Sequence, residues 1–198
     1  MEYRNLPNDE KKASTIGFGT SKMYTAPDSE IEEMLNYGFD HGLNIIDTVG
    51  SNDKLLAPIG RAMEGRREKI IIQTHFGVVY PGGIYERNRN VDLAKAETER
   101  QLKILGTDYS DIGLVSNLDE DDDYEKVMAP GGLWDYMLEL KKQGVVHHLG
   151  LSSHKAEMCN KMLDTGDVDM IMFSENPIYD FSLDSGEMMF DEQRARLY

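Results

Sequence analysis

The sequence predicts an α/β fold built around a parallel β-sheet. Short aliphatic runs bounded by turn residues alternate along the chain with longer segments that have helical spacing. Parallel neighbouring strands need a crossover connection, and a helix after each strand supplies one. Six such strand–helix units are visible, the last of them incomplete. They fit either a doubly wound open sheet or a (β/α)₈ barrel that stops early.

The strands are predicted from runs that are too short to form a stable helix. Each run is rich in aliphatic or β-branched residues, which is typical of a strand buried on both faces of a parallel sheet. The six runs are Thr15–Gly19, Asn44–Asp47, Lys69–Thr74, Asp111–Val115, Val145–Leu151 and Val168–Phe173.

The helices are predicted from apolar residues at helical spacing and from capping signals. The first helix begins after Pro27, where Ser29 as N-cap and Glu32 three residues later form a capping-box pattern, and it ends at Gly42. The other predicted helices are Asp53–Glu64, Val91–Leu105, Leu133–Gln143, Lys155–Asp164 and, at the end of the chain, Met188–Tyr198.

The charge balance excludes several classes of partner. The 198 residues carry 21 basic and 36 acidic side chains, a formal charge of −15, so a nucleic acid or an anionic membrane surface would repel the chain. Because no apolar run reaches about 18 residues, a membrane-spanning helix is also excluded. The single cysteine, Cys159, cannot form an internal disulfide and favours a reducing compartment. We therefore expect a cytoplasmic protein that forms one domain over residues 1–198.

The first two predicted strands carry part of a dinucleotide-binding pattern. Gly17 and Gly19 come at the end of the first strand, and Asp47 ends the second. The doubly wound fold also needs a third glycine and an immediate helix to receive a pyrophosphate. Lys22 stands at the third position instead, and the helix is delayed until after Pro27. The doubly wound sheet is therefore the less favoured of the two architectures.

Six segments of the chain together resemble successive signatures of one known family, the aldo-keto reductases. They occur in the family's order and spacing and span nearly the whole chain, which is far more specific than any single motif. The segments are IGFGT (16–20), HGLNIIDT (41–48), EGRREKIIIQTHFG (64–77), LKILGTDYSDIGLV (102–115), ELKKQGVVHHLGLSSH (139–154) and DVDMIMF (167–173). The segments YERNR (85–89) and ENPIYD (175–180) resemble a bacterial branch whose members often carry a C-terminal iron–sulfur segment.

The resemblance implies a TIM (β/α)₈-type barrel, here with about six βα units, and an active site at the C-terminal ends of the strands. It also implies NAD(P)H-dependent reduction of a small-molecule carbonyl, with NADPH or NADH bound in an extended pose. In the family a tyrosine supplies the proton, while an aspartate, a lysine and a histidine tune or orient it. A phenol needs a neighbouring cation to exchange protons at neutral pH, which explains the tetrad.

The family's four catalytic positions are only partly kept in this chain. Asp47 matches the aspartate, whereas the tyrosine, the lysine and the histidine are replaced by Asn52, His75 and Ser116. An amide cannot donate a proton and recover it, so the family's acid is missing. A histidine can still supply a cation at mildly acidic pH, although His75 can equally be a half-buried histidine satisfied by a loop carbonyl. The resemblance therefore indicates Asp47 and His75 as the catalytic candidates, in a chain that is weak or inactive when taken alone.

The candidate cofactor contacts lie on the last two predicted strands. Ser152 and Ser153 match the family's pair that holds the nicotinamide amide, and they equally fit the N-cap of the following helix. Met172 stands where the family often has a glutamine that binds the same amide. Tyr24 and Tyr80 follow the first and third strands, so either can reach the same end of a barrel as a replacement proton donor. The family's aromatic residue that stacks on the nicotinamide and its loop that grips the adenosine phosphate have no matching position.

An arc of six strands leaves the first and the sixth strand with unpaired edges. The resemblance to a longer barrel leaves three explanations open, namely a fragment, a truncated relic or a chain completed by a partner. For the last of these we expect association through the edges, by self-pairing into a homo-oligomer or with a complementing C-terminal segment.

Two other function classes stay open beside a reductase. One is a non-catalytic scaffold or interaction protein, and the other is a lyase or isomerase that uses Asp47 and His75 as an acid–base pair. No metal site is predicted. The acidic run Asp119–Asp123 lacks the glycine and the final glutamate of a calcium loop and is interpreted as a solvated loop.

Overall fold

The computed structural model begins with an antiparallel hairpin and continues into a six-stranded parallel sheet. It describes residues 1–48, 53–175, 181–184, 187–190 and 192–197. The strands in chain order are β1 (Tyr3–Asn5), β2 (Lys12–Ser14), β3 (Phe18–Gly19), β4 (Ile45–Thr48), β5 (Ile71–Phe76), β6 (Val78–Val79), β7 (Glu86–Arg87), β8 (Ser110–Val115), β9 (Val146–Ser153), β10 (Met170–Phe173), β11 (Phe181–Asp184) and β12 (Glu187–Phe190). The helices are α1 (Asp28–Asp40), α2 (Asp53–Met63), α3 (Val91–Leu105), α4 (Asp121–Met128), α5 (Leu133–Lys142), α6 (Ala156–Leu163) and α7 (Glu192–Ala195).

The strands of the central sheet are arranged in the order β3–β4–β5–β8–β9–β10, and every neighbouring pair is parallel. This order follows the chain without a reversal, as in a (β/α) barrel, whereas a doubly wound sheet reverses direction at a switch point. The doubly wound alternative is therefore wrong, and the prediction of an incomplete barrel is confirmed. Among the described residues β3 and β10 are the two edge strands, so the sheet forms an open arc.

Apolar side chains fill the layer between the sheet and its helices. Helices α1 and α2 pack on Ile46 and Ile72, and helices α5 and α6 pack on Leu149 and Leu151. Trp134 of α5 is the largest side chain that is fully buried in this layer. The helices therefore cover the outer face of the sheet and leave its inner face to form the site.

The N-terminal hairpin closes the end of the arc where the strands begin. Leu6, between β1 and β2, packs with Ile112 inside the arc. The buried carboxylate of Asp111 holds the hairpin through Lys11, whose Nζ lies 2.5 Å from Oδ1, and pairs with Arg67 Nη1 at 3.0 Å from Oδ2. This end of the arc is plugged, so the opposite end, where the strands finish, is the one available to a ligand.

Most predicted elements are confirmed to within a few residues, and the differences have local causes. The first helix begins at Asp28 with Pro27 in the capping position and without a side-chain hydrogen bond there, so Ser29 as the N-cap is wrong. The fixed φ of Pro27 suits this start, and Asp28 brings an acidic group to the first turn. The third strand of the sheet begins at Ile71, because Arg67–Lys69 form a short 3₁₀ turn.

Two segments differ in kind from the prediction. The predicted helix Met188–Tyr198 is wrong over its first part, because Glu187–Phe190 pair with Phe181–Asp184 as the hairpin β11–β12, and the short helix α7 follows. Asp119–Asp123 are not a solvated loop, since the run enters α4, where acidic groups in the first turn favour the helix N-terminus. None of the helices in the described part of the chain is long and apolar enough to cross a membrane.

Candidate active site

Side chains from four strands meet at the end of the arc where the strands finish. Successive side chains of a strand point to opposite faces, so every second residue faces the interior. Gln73 and His75 of β5 contact Asp47 of β4, and Gln73 also contacts Met172 of β10. Ser152 of β9 lines the same pocket as His75 and Met172. The structure therefore brings the predicted residues Asp47, His75 and Ser152 to one end of the sheet.

Asp47 and His75 form a hydrogen-bonded pair on the floor of this end. His75 Nε2 lies 2.7 Å from Asp47 Oδ1, and only 5% of the His75 side chain and 14% of the Asp47 side chain are exposed. A carboxylate oxygen only accepts, so this contact places a proton on Nε2, which in a neutral imidazole is the Nε2–H tautomer. His75 Nδ1 is buried and has no hydrogen-bond partner among the described residues. The pair therefore leaves one imidazole nitrogen without a partner among the described residues.

A third polar side chain, Gln73, completes the floor. Its Nε2 donates to Asp47 Oδ1 at 2.9 Å and lies 3.6 Å from Met172 Sδ. Sulfur is a weak acceptor, so the carboxylate is the main partner of this amide. Gln73 is not among the residues predicted from the sequence. It lies two positions before His75 on β5 and therefore faces the same side of the sheet, so the alternation along this strand would have identified it.

A pocket of about 340 Å³ borders this floor, and His75 and Met172 belong to its lining. Apolar and aromatic side chains form much of its wall, and Ser116 and Ser152 add hydroxyl groups. The apolar and aromatic residues are Val78, Tyr80, Tyr85, Met172 and Phe173. Among the described residues no lysine or arginine lines this pocket, so it suits the uncharged part of a ligand.

The two predicted cofactor-binding serines point in opposite directions, as neighbours on a strand must. Ser152 Oγ accepts a hydrogen bond from the Asn117 N–H at 2.9 Å and keeps its own proton for a ligand in the pocket. Ser153 Oγ donates to Asp119 Oδ1 at 2.9 Å and accepts from the Lys155 N–H at 3.1 Å. The Ser152 hydroxyl is therefore available, whereas the Ser153 hydroxyl is engaged by the protein itself.

A second Asp–His pair stands at the rim of the pocket. His154 Nδ1 lies 2.9 Å from Asp119 Oδ2, and most of the His154 ring is exposed. Burial opposes ionisation of Asp119, but hydrogen bonds from the backbone and ring of His154 and from Ser153 outweigh it, so the pKa of Asp119 lies below its ordinary value. Asp119 therefore stays ionised at neutral pH and joins the loop after β8 to the end of β9.

The replacement proton donors considered from the sequence differ in position. Tyr80 lines the pocket beside His75, whereas Tyr24 is 46% exposed and does not line it. Burial, and then the neighbouring Tyr85, raise the pKa of Tyr80, so its phenol is protonated at neutral pH. Asn52, which stands at the position of the family's tyrosine, lies outside the described residues.

A wider groove continues from the pocket past His154 and Ser174, which border both. It has a volume of about 550 Å³ and carries the basic side chains of Lys155 and Arg194 beside the acidic Glu157. Basic side chains suit the anionic part of a ligand. The groove therefore differs from the pocket in carrying basic and acidic side chains among its described residues.

The acidic run near the pocket is engaged in ion pairs with basic side chains. Its pairs with lysine and arginine include Glu120 with Lys155, Asp121 with Lys161, Asp122 with Lys126 and Asp123 with Arg89. Within the described ranges no three histidine, cysteine or carboxylate side chains come close enough together to hold a metal ion. The polar residues of this region therefore serve the loops around the pocket.

Comparison with known proteins finds relatives over most of the chain. The family model described as "Aldo/keto reductase family" matches residues 15–190. The chain is 27% identical over 169 residues to the aldo-keto reductase YhdN of Bacillus subtilis (strain 168), covering 79% of this chain and 48% of YhdN. It is 28% identical over 154 residues to D-arabinose 1-dehydrogenase of Saccharomyces cerevisiae, covering 72% of this chain and 44% of that protein. The chain thus spans about half the length of these curated relatives.

A solved structure gives the same picture of the fold. The holo form of aldo-keto reductase AKR11C1 from Bacillus halodurans superposes with a TM-score of 0.75 at 22% identity. The match covers 88% of this chain and 58% of that one. At this identity the likeness concerns the fold alone, and the chemistry of the site depends on the residues of this chain.

Proposed function

The chain belongs to the aldo/keto reductase family, and from this premise we propose that it takes part in the NAD(P)H-dependent reduction of a small-molecule carbonyl. His75 is the proposed proton donor and Asp47 its partner, while Ser152 is the proposed contact to the nicotinamide amide. The observation that carries the proposal is that His75, whose side chain lines the pocket, has a buried Nδ1 without a hydrogen-bond partner among the described residues. A buried polar atom without a partner is unfavourable, and a ligand that supplies the partner removes the penalty.

His75 handles the proton in this proposal. Because Nε2–H donates to Asp47, Nδ1 is the nitrogen that carries the transferred proton. During reduction the Nδ1–H bond breaks as the carbonyl oxygen takes the proton, and the imidazole returns to its neutral Nε2–H form. During alcohol oxidation the same nitrogen accepts the proton. The pair can therefore serve as both acid and base where the family uses a tyrosine beside a lysine.

A nicotinamide cofactor, when bound, supplies the hydride of this reaction. The residues present fit its uncharged end, because the Ser152 hydroxyl is available in a pocket without lysine or arginine among its described residues. The proposed contacts to its phosphates are Lys155, which pairs with Glu120 at 3.0 Å, and Arg194, which donates to the Ser174 carbonyl at 2.6 Å, because both border the adjoining groove. Ser153 acts indirectly in this proposal, since its hydroxyl donates to Asp119.

The experiment is a titration of the full chain with NADPH and with NADH, followed by nicotinamide fluorescence and by carbonyl-dependent oxidation of the bound cofactor. We expect saturable binding and oxidation that requires an added aldehyde or ketone. Ser152→Ala should weaken cofactor binding about tenfold, the loss of one hydrogen bond, whereas the matched variant Ser153→Ala should lower stability and leave the affinity within about twofold. No binding at millimolar cofactor and no oxidation would contradict the proposal.

The Asp47–His75 pair also supports a second candidate, a lyase or isomerase that moves protons without a hydride. The observation in its favour is the hydrogen bond between His75 and Asp47, since an imidazole beside a carboxylate can move a proton without any nucleotide. An activity that His75→Ala abolishes and that is indifferent to NADPH and NADH would identify this class. A non-catalytic scaffold would show neither cofactor binding nor an activity that depends on His75.

The exposed edge of the arc supports association as a property of the chain. Met170–Phe173 pair with β9 on one side, and among the described strands nothing pairs with their other side. An unpaired strand edge is a template for another strand, supplied by a second copy or by a complementing segment. Light scattering of the purified chain should show association, and a monomer with a single sharp melting transition would contradict it.

A further inference from the structure

The geometry assigns Gln73 the role of a positioning residue for the Asp47–His75 pair, an inference that rests on the function proposed for that pair. Gln73 is 8% exposed and lies directly opposite Asp47 in the parallel register of β5 and β4. Its Nε2 donates to Asp47 Oδ1 at 2.9 Å, and the same oxygen receives His75 Nε2 at 2.7 Å. One carboxylate oxygen of Asp47 thus accepts hydrogen bonds from two side chains of β5.

The Gln73 amide can face Asp47 in only one orientation, with its NH₂ group toward the carboxylate. A carboxylate oxygen accepts but cannot donate, so an amide oxygen turned toward it would be repelled, and the NH₂ group must point at Oδ1. The same nitrogen lies 3.6 Å from Met172 Sδ on β10. The contacts to Asp47 on one side and to Met172 on the other fix this side chain across the interior of the arc.

Two donors on one oxygen restrict the rotation of the Asp47 carboxylate. Without Gln73, His75 would be the one side chain among the described residues that donates to it, and either carboxylate oxygen could then face the ring. The His75 ring could also turn and present Nδ1 to the carboxylate in place of Nε2. Gln73 therefore favours the orientation of the pair in which His75 Nε2 faces Asp47.

The test measures the tautomer of His75 in two-bond ¹H–¹⁵N correlation spectra of the full chain, labelled with ¹⁵N at histidine. In the wild type we expect Nε2 to be protonated and Nδ1 to be unprotonated. Gln73→Met keeps the length of the side chain but removes its donors, so both tautomers should become populated and the two ring-nitrogen signals of His75 should move toward each other. His148, which pairs with Asp9 at 3.1 Å, is an internal control whose signals should stay in place.

A matched control variant is Gln101→Met. Gln101 is likewise buried and donates to a carboxylate, Glu97 Oε1 at 3.1 Å, but it lies on α3. The Gln101→Met variant should be less stable than the wild type, and its His75 signals should be unchanged. Where turnover is present, Gln73→Met should lower kcat about tenfold and leave KM within about twofold, because the pocket itself is kept.

Two results would overturn the role of Gln73: wild-type His75 signals in Gln73→Met, or mixed tautomers in the wild type. If Gln73→Met does not fold, Gln73→Asn gives the same readout, since its amide is one methylene too short to reach Asp47. The spectra need no turnover. Absence of reductase activity would therefore count against the proposed function, while the tautomer of His75 decides the role of Gln73.

Discussion

Arg89 forms a bidentate ion pair with Asp123, with Nε 3.0 Å from Oδ1 and Nη2 2.6 Å from Oδ2. Only 7% of the Arg89 side chain and 9% of the Asp123 side chain are exposed. The same guanidinium donates to the carbonyl of Ser116 at 2.7 Å and to the carbonyl of Gly77 at 3.2 Å. One buried arginine thus ties the end of β5, the end of β8 and helix α4 together beside the pocket.

Asp123→Asn should destabilise the chain strongly, because it leaves the Arg89 guanidinium charged and buried without a counter-ion. We expect the free energy of unfolding in urea to fall by about 3–5 kcal/mol. The matched control is Asp122→Asn, which removes an exposed ion pair with Lys126 and should change the free energy little. Equal effects of the two substitutions would show that the Arg89–Asp123 contact does not hold these loops.

Leu6→Ala should open a cavity where the N-terminal hairpin closes the end of the arc at which the strands begin. Leu6 is 4% exposed and packs inside the sheet, so its truncation should lower the free energy of unfolding by about 2–5 kcal/mol. Leu93→Ala is the same chemical change at a position that is 47% exposed, and it should have a much smaller effect. Thermal and urea unfolding of both variants measure the difference, and a neutral Leu6→Ala would rule out the plug.

The ionisation of Asp119 should contribute to the pH dependence of the stability of the chain at acid pH. Burial opposes its ionisation, but hydrogen bonds from His154 and Ser153 outweigh it, so its pKa in the folded chain lies below the ordinary 3.8. A lowered folded-state pKa gives stability that is fully present above the unfolded-state pKa and is lost as the pH falls through the folded-state value. Asp119→Asn should therefore be less stable than the wild type at pH 6. Below about pH 4 the variant should lose less of its stability than the wild type does.

Urea unfolding of Asp119→Asn and of the wild type across this pH range tests the prediction. The two curves should converge as the pH falls, because the wild-type carboxylate then loses the charge that its donors stabilise. Curves that stay parallel down to the lowest pH would show that Asp119 contributes nothing through its ionisation.

Cys159 should be almost inert in the folded chain. Burial raises the pKa of its thiol to about 11, and the side chain is 0% exposed. Since the thiolate is the reactive form, the folded chain at pH 8 should react with a disulfide reagent at least about 100-fold more slowly than the urea-unfolded chain. Equal rates would mean that Cys159 is accessible. A reducing, cytoplasmic location stays a prediction from the single cysteine.

Asp47→Asn separates the charge of Asp47 from its shape. The amide oxygen of asparagine can still accept from Gln73 and His75, so the tautomer of His75 should be kept. The negative charge that stabilises a protonated imidazole is gone, and kcat for carbonyl reduction should fall by about 10²-fold. Steady-state kinetics together with the histidine spectra check both parts. An unchanged kcat would show that the charge has no part in the reaction.

The sheet could be predicted from the sequence because its strands are continuous aliphatic runs. Ile71 and Ile72 are neighbours on β5 and are both buried, one toward the arc and one toward the helices, which is what a parallel sheet requires. The hairpin strand β1 gave no such signal, because Tyr3–Asn5 are exposed on both sides. Its place depends on Leu6 and Lys11, whose partners are distant in sequence.

The site was only partly visible in the sequence for a similar reason. Asp47 and His75 each stand out beside a strand end, but their contact depends on the pairing of β4 with β5. The hydrogen bond from the Asn117 N–H to Ser152 Oγ joins residues 35 positions apart, and no local pattern predicts it. Alternation along a strand identifies which residues face the pocket, and the three-dimensional structure decides which of them engage one another.

The most direct measurement of the central claim is carbonyl-dependent oxidation of NADPH or NADH by the wild type, by His75→Gln and by the control His41→Gln. Glutamine can still form hydrogen bonds but cannot transfer a proton, and His41 is an exposed histidine at the end of α1, outside the pocket. We predict that His75→Gln loses about 10²–10⁴-fold in kcat with cofactor binding retained, and that His41→Gln matches the wild type. Wild-type turnover in His75→Gln would show that the proton comes from elsewhere and would contradict the account.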